Sequence, residues 1–419
     1  MYALVDCNNF YTSCERVFNP NLQHKPVAIL SNNDGCVISL SDEAKELQLP
    51  FGAPIFKWDA FCKANKIAVL SSNYPLYGDM SARVMTILSQ FSPDIEVYSI
   101  DEAFLEFKGF ENYDFSDYGT KIRSRLLQWT GIPTCVGIAP TKALSKVANK
   151  IARKFPNETR GVYVIDSEEK RIKALKWMPL KNVWGIGRRL EKRLIAKGCK
   201  TGFDFTQLSD DWVRTNFSIT EWKLKKELEG ISKIELENEP KSKKAIATTR
   251  SFETTFSDID NIKERISTFA TSCAEKLRKQ HSSCHMIIVM LSSDRHKKDM
   301  EQHRASKTVL FSVPTNSTLS ISTAAVKAVS SIFKKGVKYK RAGVIVTGLV
   351  PTNNHQLNLF LNENPKHKSL MKSIDYLNSK FKADKIKLGN QDLKRTWKMR
   401  QERLSPKFTT NINDIIVVK

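Results

Sequence analysis

The chain has 419 residues, room for about three domains of ordinary size, and 41% of them are hydrophobic, as in proteins that build real cores. Lys and Arg number 67 against 44 Asp and Glu; the net charge of +23 points to a polyanionic partner, nucleic acid first and an acidic membrane surface second. No run reaches the roughly 20 apolar residues of a spanning helix, the opening MYALVDCNNFYTSCE lacks the basic start of a signal peptide, and the eight cysteines form no CxxC pair, so the expectation is a cytoplasmic protein with reduced thiols and no membrane.

In chain order, YALV near the start and PVAILS (Pro26 to Ser31) have the composition of short strands. DGCVISLSDEAKEL reads as a turn at Asp34-Gly35 running into a helix. Tyr77 to Phe91 carries apolar residues at helical spacing. IEVYSIDEAFLEF sets two β-rich arms around Asp101-Glu102 and predicts a hairpin. A helix from Tyr118 to Thr130, the strand TCVGIA and the helix TKALSKVANKIARKF complete a ferredoxin-like βαββαβ pattern, expected as a sheet with helices on one face. From Asp166 to about Gly230 the pattern is of short helices, and VWGIGRRLEKRL places a Gly-x-Gly turn before a basic helix. ISKIELENEPKSKKAIA reads as a tether. A second α+β unit follows from about Thr248 to Pro351, with a helix near Ile262 to Gln280, the strands CHMIIVML and AGVIVTGL, and a basic run from Lys334 to Arg341. Thr352 to Lys419 is polar and Lys-rich, expected to be only partly ordered. Cys273, His281, Cys284 and His285 cluster, but their spacing matches no zinc pattern.

YSIDEAF (Tyr98 to Phe104) places two adjacent acids in an apolar, aromatic run. An ionised carboxylate is expensive to remove from water unless it is paired or binds a metal. Adjacent side chains on a straight strand point to opposite faces, so Asp101 and Glu102 converge only at a bend. With Asp6 at the end of the first strand, three carboxylates would meet at one sheet edge. Two Mg²⁺ ions about 4 Å apart need such an oxygen-rich site and clamp the attacking and leaving oxygens of phosphoryl transfer. An Asp-Glu pair alone is more often a solvated turn; with Asp6, the apolar flanks and the basic charge added, the metal site and the solvated turn stand as equal alternatives.

YSIDEAF and LVDCNNFY, with LSNNDGCVIS, SSNYPLYGDMSARVM, GIAPTKALSKVANKIARK, VWGIGRR and RSF, resemble the Y-family of DNA polymerases over essentially the whole chain, and its UmuC branch most narrowly. The resemblance implies a multidomain α+β right hand: palm 1–18 and 77–165, fingers 19–76, helix-hairpin-helix thumb 166–231, linker 232–247, little finger 248–351 and a partner-binding tail 352–419. It implies error-prone translesion synthesis in SOS mutagenesis, adding dNMP to a primer 3′-hydroxyl. Asp6, Asp101 and Glu102 would hold two Mg²⁺ ions, with the Cys7 carbonyl as a further ligand.

By the same resemblance Tyr11 would be the ring that excludes a ribose 2′-hydroxyl; its bland alternative is a core aromatic beside Phe10. Lys45, and either Arg153 or Lys154, would neutralise the triphosphate, whereas Asp42 stands where many relatives have Tyr. Gly185 and Gly187 would let backbone N–H groups reach a DNA phosphate, with Arg188 and Arg189 adding charge. QLNLF (Gln356, Leu357, Leu359 and Phe360 above all) resembles a sliding-clamp docking peptide, against the alternative of a small edge strand. The partners implied are primer–template DNA, dNTP, the clamp, a processed UmuD dimer and the RecA filament, in the bacterial nucleoid. A DNA- or clamp-binding module that kept the fold and lost the chemistry, or the DinB branch, are the competing readings.

Overall fold

The computed structural model describes residues 1–237, 241–297, 299–353, 364–381, 385–391, 393 and 399–416. It divides into two compact units, Met1–Pro240 with Gln401–Lys419, and Lys241–Arg400. The first unit begins with β1 (Tyr2–Cys7), α1 (Phe10–Phe18), β2 (Val27–Leu30), β3 (Val37–Leu40), α2 (Asp42–Glu46), α3 (Ile55–Ala64) and β4 (Ala68–Ser71). It continues with α4 (Tyr74–Leu88), β5 (Ile95–Val97), β6 (Glu102–Glu106), α5 (Phe115–Thr130), β7 (Thr134–Ala139), α6 (Lys142–Lys154), α7 (Pro156–Thr159) and β8 (Val162–Val164). Short helices follow: α8 (Glu168–Trp177), α9 (Arg188–Ala196), α10 (Gly202–Thr206), α11 (Asp210–Asn216) and α12 (Ile219–Leu228).

The main sheet has five strands in the order β5-β6-β1-β7-β8. β1 is antiparallel to both neighbours and β7 is parallel to β8. Every residue of β7 is buried. Alternation is lost because both faces are covered, contrary to the expected one-sided arrangement. On one face Val5, Val136 and Ile138 pack with Phe10 of α1, Tyr77 and Val84 of α4, and Ile122 and Leu126 of α5. On the other, α6 lies directly on Gly137: a Cβ there would stand 2.0 Å from the Asn149 nitrogen and 2.3 Å from the Ser145 carbonyl oxygen. Only glycine admits so close an approach of helix to strand.

A second sheet has the order β3-β2-β4, with β4 parallel to β2 at an edge. The expected turn-to-helix reading missed β3, since CVISL is too short for periodicity to decide. The helix after it is the brief α2, capped by Ser41, whose Oγ accepts from the Ala44 N–H at 3.3 Å. The short helices α8 to α12 share a core of Leu175, Leu180, Leu194, Phe205, Val213 and Leu228, and capping boxes at Thr201/Asp204 and Ser218/Glu221 start α10 and α12.

The second unit holds β9 (Ala245–Phe256), α13 (Ile259–Lys279), β10 (Ser282–Ser293), β11 (Arg304–Thr315), α14 (Thr318–Ile332), β12 (Tyr339–Pro351) and α15 (Lys366–Lys380). Its antiparallel sheet runs β11-β10-β12-β9. Ile266 and Phe269 of α13 and Ile321 of α14 pack on Ile287, Val289 and Val344, and the Cys273 and Cys284 side chains are buried in this core. The polar region after residue 352 thus divides: α15 belongs to the second unit, and 401–416 pack on the first. Among the described residues no helix is long and apolar enough to cross a membrane.

Candidate active site

The antiparallel register of β1 and β6 sets Asp6 opposite Glu102. One residue further, the Cys7 N–H donates to the Asp101 carbonyl at 2.9 Å. The hairpin bends here: the N–H groups of Tyr98 and Ser99 both donate to the Glu102 carbonyl at 3.1 Å. Ser99 Oγ accepts from the Glu102 N–H at 3.1 Å and donates to Asp101 Oδ1 at 2.5 Å. The bend expected around IDE is therefore held by Ser99, and it brings all three acids to one end of β1.

Burial, and then the charges of Glu102 and Asp101, push the Asp6 carboxyl up to about 7 against the opposing pull of Arg153. Arg153 Nη1 lies 3.3 Å from Asp6, and Lys146 Nζ lies 3.0 Å from Glu102. Among the described residues no three acid, His or Cys side chains are gathered to hold a metal ion as they stand; cations and the Ser99 hydroxyl satisfy the acids instead. The donor set nonetheless suits a hard divalent cation. It consists of carboxylate oxygens from three acids brought to one end of β1, where burial above all raises the Asp6 carboxyl and a cation would favour its ionised form.

Beside the acids stands Asn9, in the left-handed conformation (φ 49°) at the start of α1. Its Oδ1 accepts from Lys45 Nζ at 2.5 Å and from Arg153 Nη2 at 2.7 Å. Two cations from separate elements thus meet next to Asp6. Lys45 also reaches Asp42 at 2.8 Å. Between the two cations open at the end of α6, the structure brings Arg153 to the acids and leaves Lys154 exposed. Half-buried Tyr11, near the start of α1, stacks on Tyr77 with centroids 4.5 Å apart and planes at 15°, and meets Tyr74 edge-on at 6.1 Å.

Sequence reading overlooked Asn9, Lys146 and Ser99. The signal for Lys146 was present, because Lys142, Lys146, Lys150 and Arg153 recur at helical spacing on α6. The Lys146 ammonium sits 4.3 Å from the Tyr98 ring centre, and Trp184 Nε1 donates to the Tyr98 hydroxyl at 2.9 Å. Lys142 pairs with Glu96 at 2.6 Å, both largely buried.

Further along, Gly185 has φ +83°, a conformation that strains any side chain, and Gly187 caps the start of α9. Arg188 and Arg189 open that helix and are exposed. Backbone N–H groups and two cations at a helix start suit a phosphate. Reversing both charges (Arg188→Glu with Arg189→Glu) should weaken DNA binding about equally on any sequence and lower the slope of log affinity against log salt by about 1 to 2. Titrations at several salt concentrations check this, and an unchanged slope would mean the arginines only face solvent. Gln356, Leu357, Leu359 and Phe360 lie outside the described residues.

The model of the impB/mucB/samB family matches residues 5–150, and that of the family's C-terminal domain matches 243–359. Residues 368–418 match a domain of unknown function. The chain is 38% identical to protein UmuC of Salmonella typhimurium, with all of both chains covered. It is 36% identical to protein ImpB of the same organism over 99% of each. DNA polymerase IV of Bacillus velezensis is 23% identical, covering 92% of this chain and 91% of that one. Among solved structures, a Y-family DNA polymerase chimera superposes with a TM-score of 0.65 at 22% identity, over 83% of this chain and 99% of the other. An insertion ternary complex of Dbh DNA polymerase gives 0.54 at 23% identity with the same coverage. These structural likenesses are of fold.

Proposed function

The chain belongs to the impB/mucB/samB family, a UmuC-like branch of the Y-family polymerases, and from that premise we propose a two-metal, error-prone DNA polymerase that serves SOS damage tolerance. It is a DNA-directed DNA polymerase of the translesion type, acting on DNA and nucleotides with a divalent metal. The observation that carries the mechanistic reading is the meeting of Asp6, Asp101 and Glu102 at one end of β1, with Lys45 and Arg153 joined through Asn9 beside them.

In this reading Asp6, Asp101, Glu102 and the Cys7 carbonyl hold two Mg²⁺ ions. When bound, these supply charge neutralisation at the attacking and leaving oxygens. Lys45 and Arg153 exchange Asn9 and the acids for the triphosphate, which orients the α-phosphate toward the primer 3′-hydroxyl. The buried end of β1 keeps the acids poorly solvated, so they bind cations strongly rather than water. No side chain needs to act as nucleophile, because positioning and charge carry the reaction. Tyr11, backed by Tyr77, limits the space beside the sugar. Gly185, Gly187, Arg188 and Arg189 grip the duplex backbone.

The division proposed is palm 1–18 and 77–165, fingers 19–76, thumb 166–231, linker 232–247, little finger 248–351 and tail 352–419. The sliding clamp at QLNLF, a processed UmuD dimer and the RecA filament are proposed partners, and the nucleoid the place of action; full-length likeness to UmuC supports each. Primer extension tests the activity. The purified chain with Mg²⁺, dNTP and a template bearing an abasic site should extend the primer past the lesion, and chelation should stop it. DNA binding without any extension, on damaged or intact template, would favour a binding module that lost the chemistry.

A further inference from the structure

Residues 401–408 cross the first unit as a strap. The Arg403 carbonyl accepts from the Ser71 N–H at 2.9 Å, and the Arg403 N–H donates to Ser71 Oγ at 3.0 Å, along the open edge of β4. The Arg403 guanidinium reaches Asp59 at 2.9 Å, and Gln401 Nε2 donates to the Ser72 carbonyl at 2.8 Å. Beyond β4, the buried Asn73 amide donates to Ser405 Oγ at 2.9 Å and to the Pro406 carbonyl at 3.1 Å. Phe408 stacks on Phe18 at the end of α1, with centroids 5.0 Å apart.

At the centre of this contact is Glu15, 1% exposed. Among the described residues its carboxylate meets no cation. Its partners are hydroxyls: Tyr77 donates to Oε1 at 2.7 Å and Ser405 donates to the same oxygen at 3.0 Å. A buried carboxylate without a cation depends on each hydrogen bond it receives, and burial pushes this one up against the pull of both hydroxyls. Tyr77, wholly buried, lays its ring on Tyr11. Tyr11 and Glu15 share one face of α1, four residues apart. An unbroken series of contacts therefore joins Ser405 to Glu15, Tyr77 and Tyr11.

We propose that the C-terminal strap sets the position of the Tyr11–Tyr77 pair through Ser405 and Glu15, so that a segment far along the chain tunes sugar selection at the nucleotide site. Ser405, Glu15 and Tyr77 are positioning residues, and the proposal rests on the reading of Tyr11 as the sugar gate. Loss of the Ser405 hydroxyl leaves the Glu15 carboxylate with one donor. That donor is Tyr77: the carboxylate, no longer fixed from the Ser405 side, shifts together with the phenol that still donates to it, and the ring stacked on Tyr11 shifts with them.

The test measures kcat/KM for dCTP and for CTP opposite a template dG, with the full chain and its variants. Ser405→Ala should lower the preference for dCTP about three- to tenfold, the effect of one hydrogen bond, through more efficient CTP use with dCTP incorporation within about twofold. Tyr77→Phe, which removes only the phenolic hydroxyl, should act in the same direction, and Ser405→Thr, which keeps a hydroxyl, should restore the native ratio. Tyr11→Ala is the control. If it leaves CTP use as low as in the native chain, the gate reading fails. If it raises CTP use while Ser405→Ala and Tyr77→Phe keep the native ratio, the gate stands and the strap proposal is overturned. Should Ser405→Ala not fold, Tyr77→Phe decides alone.

Discussion

Asp101→Asn and Glu102→Gln should each reduce nucleotide addition by at least about a thousandfold, the scale of losing an electrostatic group that acts on the transition state. Primer–template binding should stay within a few-fold of native, because neither acid is proposed to touch DNA and the phosphate grip lies elsewhere. Both replacements keep side-chain shape. After Asp101→Asn the amide oxygen can still accept from Ser99, as the carboxylate does at 2.5 Å. Glu102→Gln leaves the Lys146 ammonium without its carboxylate, but that cation is only partly buried and keeps the faces of Tyr98 and Phe104 within 4.3 Å and 5.5 Å. Folding is therefore expected to survive. Single-turnover extension with fluorescence anisotropy on the same primer–template separates catalysis from binding. Extension at near-native rate by either variant would remove these acids from the mechanism.

Gly137→Ala should be among the most damaging single substitutions away from the acids. The added methyl would fall 2.0 Å from a backbone nitrogen and 2.3 Å from a backbone oxygen of α6. No side chain can turn away to make room, so the helix itself must move. Overpacking of this kind costs about 3 kcal/mol or more, which lowers the melting temperature by about 6–12 °C at this domain size. The damage should also reach the chemistry. α6 carries Lys146 to Glu102 and Arg153 to Asp6 and Asn9, and a helix lifted from β7 withdraws both cations. Calorimetry and primer extension below the transition check the two parts. A variant as stable as the native chain would mean that α6 is not seated on β7 as described.

Much of the first unit could be read from local pattern. TCVGIA is a strand with its ends where composition put them, at Thr134–Ala139, and the two arms around IDE pair as β5 and β6. Asp101, Glu102 and Asp6 were legible because a charge in an apolar strand is an anomaly that needs a partner. What escaped was set by tertiary register. Asn9 looks like any turn residue until Lys45 and Arg153 arrive from elements 36 and 144 residues away. The face of α6 that meets the acids separates Arg153 from Lys154, and one residue of helical phase was beyond the pattern's resolution. β3 escaped because four residues carry too little periodicity. The strap escaped for the opposite reason: residues 401–416 have no period at all, and their order comes from what they touch.

That strap lies far along the chain from the surface it covers. Arg403 and Ser71 are 332 residues apart, and Ser405 and Glu15 are 390 apart. At the usual 5–20 residues per second, a ribosome needs roughly 20–70 s to supply the second partner after the first has emerged. During that interval β4 presents a bare strand edge, a template for pairing with another chain, and Glu15 lacks one of its donors. Closure of the N-terminal module thus comes late in synthesis, and a product that stops before Gln401 exposes the unpaired edge that proteases and chaperones act upon.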